Sequence, residues 1–142
     1  MTSTPRIPIV AGVFYRDIAD SLIAGAKAAL GAVDIDTVEV PGAFEIPAVI
    51  AAADRSDAPY DGYIALGCVI RGETSHYDYV CGESARALMD LALGGIAIGY
   101  GILTVETREQ ALIRAGEKNK GKDAAQACLA MMDINNRFLG EA

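Results

Sequence analysis

The sequence predicts an α/β protein, a three-layer α/β/α sandwich around a parallel sheet of about four strands. Three observations carry that expectation. Apolar runs of strand length alternate with amphipathic stretches of helix length, which is how a parallel sheet with helical crossovers reads. The third run, Tyr63-Ile-Ala-Leu-Gly-Cys-Val-Ile70, is nearly unbroken, as expected for a strand covered on both faces. Short punctuation separates the segments, with no repeat, low-complexity tract or linker, so residues 1–142 read as one domain.

The first strand is expected over Ile7–Val13. A helix over Asp17–Leu30 follows, where Ile18, Leu22, Ala26 and Leu30 recur every four residues and form one apolar stripe. A second strand, Asp36–Val40, runs through Pro41-Gly-Ala-Phe-Glu-Ile-Pro47 into a helix over Ile46–Ala53. The third strand takes Gly62–Ile70. Beyond the turn Arg71–Ser75 comes a helix over His76–Leu93, its start marked by Ser75 and Asp78 at capping-box spacing. The fourth strand is Ile96–Val105. Its glycines, GIAIGYG at 95–101, lie inside an apolar run and not at a strand-to-helix turn, so a dinucleotide loop is not expected there. Thr107 and Gln110 repeat the capping spacing before a helix over Thr107–Ala115, which Gly116 stops. The last helix is placed at Asp123–Phe138. This alternation fits a sandwich of the flavodoxin type.

With 52% apolar and 22% charged residues, the chain has a core to bury and is not disordered. Its net charge of −7 argues against nucleic acid or an anionic membrane as a general partner. No apolar stretch is long enough to span a bilayer, and MTSTPRIPIVAG lacks a signal-peptide pattern. Cys68, Cys81 and Cys128 are odd in number and without metal-type spacing. They read as buried free thiols of a cytoplasmic protein.

Sheets of this kind bind ligands beyond the carboxyl ends of their strands. All the unusual polar and aromatic clusters fall there: Phe14-Tyr15-Arg16, the segment 41–47, Arg71–His76, and Glu106-Thr107-Arg108. His76 is the only histidine. Placed in a first helical turn, it sits beside free backbone N–H groups, an anion site with one side chain that titrates near neutral pH. A lone histidine is as often structural, but this position favours chemistry. Phe14, Phe44 and Tyr100 suit stacking on a planar heterocycle, against the plainer reading as core aromatics, which is strongest for Tyr100. Glu45 either meets a ligand's N–H or hydroxyl groups or is an exposed turn glutamate. Arg114, with Lys118, Lys120 and Lys122, forms either a solvated helix end or positive charge for a phosphate, from this subunit or a neighbour. A single histidine without CxxC makes a transition-metal site unexpected, and no second histidine exists for a Ser-His-Asp triad. What remains is acid–base chemistry on a small, phosphorylated molecule.

The segments PGAFEIP at 41–47, ALGCVIRGETSHYDYVC at 65–81, GILTVETREQALIRAG at 101–116 and NKGKDAA at 119–125 together resemble lumazine synthase, in order and through almost the whole chain. The resemblance implies the penultimate step of riboflavin biosynthesis. There, 5-amino-6-(D-ribitylamino)uracil condenses with 3,4-dihydroxy-2-butanone 4-phosphate to 6,7-dimethyl-8-ribityllumazine, phosphate and water, without metal or organic cofactor. It makes His76 the acid–base residue and Phe14 the stacking partner of the pyrimidine. Ala43, Phe44 and Glu45 would hold the ribitylamino-uracil, and Cys68, Val69 and Ile70 would line the pocket. Glu73 and Thr74 would meet the butanone phosphate, with Arg114 as its cationic partner. Tyr100 and Lys120 would complete the site from an adjacent subunit of a homo-pentamer. The connection Arg114–Lys120 is shorter than in members that form sixty-subunit shells, which points to the pentamer. Riboflavin synthase is a further partner the resemblance allows. Two rivals stand beside the enzyme, a non-catalytic flavin- or lumazine-binding pentamer and an electron-transfer flavodoxin. The joint presence of His76, Glu45 and Arg114 argues against the first. The lack of a Ser/Thr-rich phosphate loop after the first strand argues against the second.

Overall fold

Four of the apolar runs become four strands, β1 (Arg6–Gly12), β2 (Asp34–Val40), β3 (Tyr63–Ile70) and β4 (Ile98–Val105). All pair in parallel, in the order β2-β1-β3-β4. The computed structural model describes residues 4–140. Helices α1 (Arg16–Leu30), α2 (Ile46–Asp54), α3 (His76–Leu93), α4 (Arg108–Ala115) and α5 (Lys120–Leu139) cover the two faces, and a short 3-10 turn, Ala43–Glu45, precedes α2. The expected α/β sandwich of flavodoxin type is therefore observed. Chain order reverses between β1 and β3, the switch point where such sheets open a crevice.

Alternation along the strands sorts side chains to two cores. Ile7, Ile9, Ala11, Ile64 and Leu66 meet Ile18, Leu22 and Ala26 of α1, Ala111 of α4, and Ala124 and Cys128 of α5. Val10, Tyr63, Ala65 and Ile102 face the other way, against Ile46 and Ile50 of α2 and Val80 and Leu88 of α3. The four-residue stripe of α1 is wholly buried, as its spacing predicts. The glycines of β4 are packing residues: a Cβ at Gly99 would run into the Ala124 carbonyl oxygen, so Gly99 lets α5 lie directly on the sheet.

Element boundaries fall within a few residues of expectation, with one larger difference. Helix α5 starts at Lys120, three residues before the predicted Asp123. Asn119 caps it from the left-handed region (φ 51°), its side-chain oxygen accepting from Lys122 N–H, so the Gly116–Gly121 stretch is partly helix. At α3 the expected capping box is absent: Ser75 makes no side-chain cap, and Asp78 pairs instead with Arg71. At α4 the Thr107 side chain does accept from Gln110 N–H, while the Gln110 side chain reaches the N–H of Glu106, one residue beyond the box. Between α2 and β3 the chain runs exposed from Arg55 to Pro59, at the end of the sheet opposite the switch-point crevice. Among the described residues, no helix is long and apolar enough to cross a membrane.

Candidate active site

Beyond the carboxyl ends of β1, β2 and β3 lies a cavity of about 460 Å³, within the range of small-molecule sites. Gly12 makes it possible. A Cβ there would stand 2.7 Å from the Gly42 carbonyl carbon, so only glycine lets the 41–45 segment fold over the end of β1. That segment supplies Pro41, Gly42, Ala43, Phe44 and Glu45 to one wall. The Glu45 carboxylate accepts from the Gly42 N–H at 3.0 Å, which closes the turn and leaves further acceptor capacity on the carboxylate. Phe14 and Tyr15 form a second wall, their rings edge to face at 4.9 Å, with Phe14 74% exposed. The end of β3 contributes Cys68, Val69 and Ile70 as the floor. Burial pushes the Cys68 thiol up to about 11, so it is a neutral apolar surface near pH 7.

The fourth side is the start of α3. Gly72, Thr74, His76, Tyr77 and Val80 line it, and Thr74 Oγ1 accepts from the His76 N–H at 3.3 Å. The imidazole thus stands at a helix N-terminus, where backbone N–H groups and the helix dipole favour an anion. The three rim arginines are already engaged. Arg16 forks onto Glu39 at 2.9 and 2.6 Å, Arg71 bonds Glu106 at 2.9 Å, and Arg108 pairs with Asp17. Among the described residues no group of three or more His, Cys, Asp or Glu side chains is arranged to hold a metal ion.

Nine of the residues singled out from sequence line this cavity: Phe14, Ala43, Phe44, Glu45, Cys68, Val69, Ile70, Thr74 and His76. Glu73, Tyr100, Arg114 and Lys120 do not. Tyr100 is on the α3 side of β4 and 43% exposed, so the core reading of it is incorrect: its neighbours are too few to bury it. Arg114 is half-buried and donates to the Gln110 carbonyl at 3.1 Å, while Lys120 pairs with Asp123 at 3.3 Å. Tyr15, Tyr77 and Val80 are lining residues that sequence reasoning did not assign. Val80 stands four residues past His76 on the same face of α3, a spacing that could have brought it in.

The cavity is a pocket with aromatic walls, one carboxylate, one histidine and a helix N-terminus, and among the described residues no Lys or Arg lines it. The family model described as 6,7-dimethyl-8-ribityllumazine synthase matches residues 4–136. A protein of that name from Novosphingobium aromaticivorans is 52% identical over 134 residues, covering 92% of this chain and 96% of its own. One from Bartonella tribocorum is 52% identical over 143 residues, covering 97% and 95%. One from Methylorubrum populi is 54% identical over 138 residues, covering 91% and 82%. With a match along nearly the whole length and relatives this similar, the chain belongs to the 6,7-dimethyl-8-ribityllumazine synthase family.

Proposed function

We propose that the protein is a lumazine synthase, a transferase of riboflavin biosynthesis that joins 5-amino-6-(D-ribitylamino)uracil to 3,4-dihydroxy-2-butanone 4-phosphate. The observation that carries this, beyond family membership, is the lone histidine opening on the cavity at the N-terminus of α3. Imine formation, phosphate loss and ring closure with loss of water each move a proton, and His76 is the cavity's relay for them. Phe14 and Phe44 take the pyrimidine between apolar surfaces, and Glu45 accepts from the polar ribityl chain or ring N–H groups. The phosphate lies at Thr74 and the positive N-terminal end of α3, with Glu73 beside it. Holding two substrates in one reactive pose supplies much of the rate.

Arg114, Lys120 and Tyr100 serve the same site from an adjacent subunit. Two facts support this reading. Among the described residues no Lys or Arg lines the chain's own cavity, and α3 carries Tyr79, Met89 and Leu93, 69%, 58% and 78% exposed. A homo-pentamer that covers those side chains completes the pocket. Three free thiols suit the cytoplasm, and the product's onward use makes riboflavin synthase a candidate partner.

The test mixes the purified protein with both substrates and follows lumazine absorbance. His76→Ala is expected to slow turnover, and Arg114→Ala to raise KM for the butanone phosphate. Mixed pentamers assembled from these two variants recover roughly a quarter of their sites if each site spans two subunits, and none if it does not. No product above the uncatalysed background, with tight lumazine or flavin binding, would make this a binding pentamer.

A further inference from the structure

We propose that Arg71 is a positioning residue: it braces Tyr77 and the first turn of α3 against the end of β4, and so fixes where His76 stands. The proposal rests on the synthase reading of the cavity and adds a residue to it. Arg71 itself does not line the cavity, although Ile70 and Gly72 on either side of it do. Its N–H donates to the Val105 carbonyl at 2.9 Å, so the β3–β4 ladder runs one residue past β3 before the chain turns. The side chain then points away from the pocket and joins two elements.

Toward β4, Nε donates to both Glu106 carboxylate oxygens, at 2.9 and 3.2 Å. Glu106 is anchored in turn, its N–H donating to the Gln110 side chain at 2.8 Å. Toward α3, a terminal guanidinium nitrogen lies 3.4 Å from Asp78. The guanidinium carbon sits 4.3 Å from the centre of the Tyr77 ring. Tyr77 is a cavity wall, so Arg71 backs that wall from outside. Asp78 is two residues past His76, on the same helical turn. Besides Arg71, Thr74 Oγ1 ties this corner by accepting from the His76 N–H at 3.3 Å. Residues 71–76 are all exposed, and Ser75 makes no side-chain cap.

Exposed ion pairs add little to global stability, so stability does not account for this arrangement. Geometry does. A guanidinium is a rigid planar fork that can bond a carboxylate along its edge and cover a ring with its face at once, which an ammonium cannot. With a carboxylate on two sides its charge is already answered, which separates it from a phosphate ligand. Displacing a catalytic group by about 1 Å is enough to slow turnover up to about 100-fold.

The experiment compares Arg71→Met, Arg71→Lys, Glu106→Gln and the Arg71→Met/Glu106→Gln double variant with the parent, as assembled full-length protein. Arg71→Met is expected to lower kcat about tenfold while KM for each substrate changes by less than about twofold. Arg71→Lys should recover only part of that loss, and the double variant should be no slower than Arg71→Met, since both act through one brace. Because the chain has a single histidine, the imidazole C–H resonance of ligand-free protein needs no assignment, and it should shift or broaden in the same variants. Parent-like kcat together with a parent-like resonance in Arg71→Met and Glu106→Gln overturns the brace while leaving the synthase intact. A rise in KM for the butanone phosphate alone also overturns it, because Arg71 would then be a phosphate ligand. Should Arg71→Met fail to fold, Arg71→Lys and Glu106→Gln decide by the same two readouts. Should the parent itself show no turnover, the synthase reading fails and the resonance alone decides the brace.

Discussion

The two faces of the sheet are finished to different degrees. Under α1, α4 and α5 the core is sealed: Ile9, Ile18, Leu22 and Cys128 have no exposed surface, and small residues bring α5 directly onto β4. Under α2 and α3 the packing stops short of the rim, leaving a 460 Å³ cavity, while α3 turns Met89 and Leu93 to solvent. The first face folds the protein. The second holds the cavity and leaves apolar side chains at its surface.

Breaking the sealed face should have the largest effect. Gly99→Val forces two γ-methyl groups as well as a Cβ into the Ala124 backbone and is expected to cost about 3 kcal/mol or more, read as a lower urea midpoint. On the open face, His76→Ala should slow turnover about 100-fold while moving stability by less than about 0.5 kcal/mol, since the side chain is exposed. Met89→Lys with Leu93→Lys should leave the fold intact yet weaken assembly by about tenfold or more, checked by sedimentation, with activity falling in step. The smallest effect is a pH dependence belonging to the sealed side. Burial pushes the Cys128 thiol from 9.0 up to about 12. The unfolded chain releases that proton first, so stability is full below about pH 9 and declines as pH rises toward 12, by about 1 kcal/mol at pH 10. Cys128→Ala should flatten that decline in alkaline urea titrations.

The same contrast explains what was legible in the sequence. The sealed face is written in period: the runs of β1 and β3 and the four-residue stripe of α1 place themselves, because burial demands apolar side chains at fixed spacing. The rim was legible wherever a motif is contiguous, as in 41–45 and 74–76. It was not legible where a long-range partner decides. Asp78 has capping spacing from Ser75, yet Arg71 takes its carboxylate, and no local rule ranks the two. Asn119 starts α5 from a left-handed backbone that charge and glycine content alone present as loop. Tyr100 lies in an apolar run that reads as core, and only the missing cover on β4 shows otherwise.

The exposed stretch Arg55–Pro59 has a practical side. It joins α2 to β3 at the end of the sheet remote from the cavity, and its residues carry no part of either core. A guest sequence spliced after Asp57 therefore emerges from the molecule's back while catalysis proceeds at its front. In an assembly of several copies, that turn is a ready mooring for cargo, a label or an epitope repeated once per subunit, and undiminished turnover of the chimaera would show that the two ends are independent.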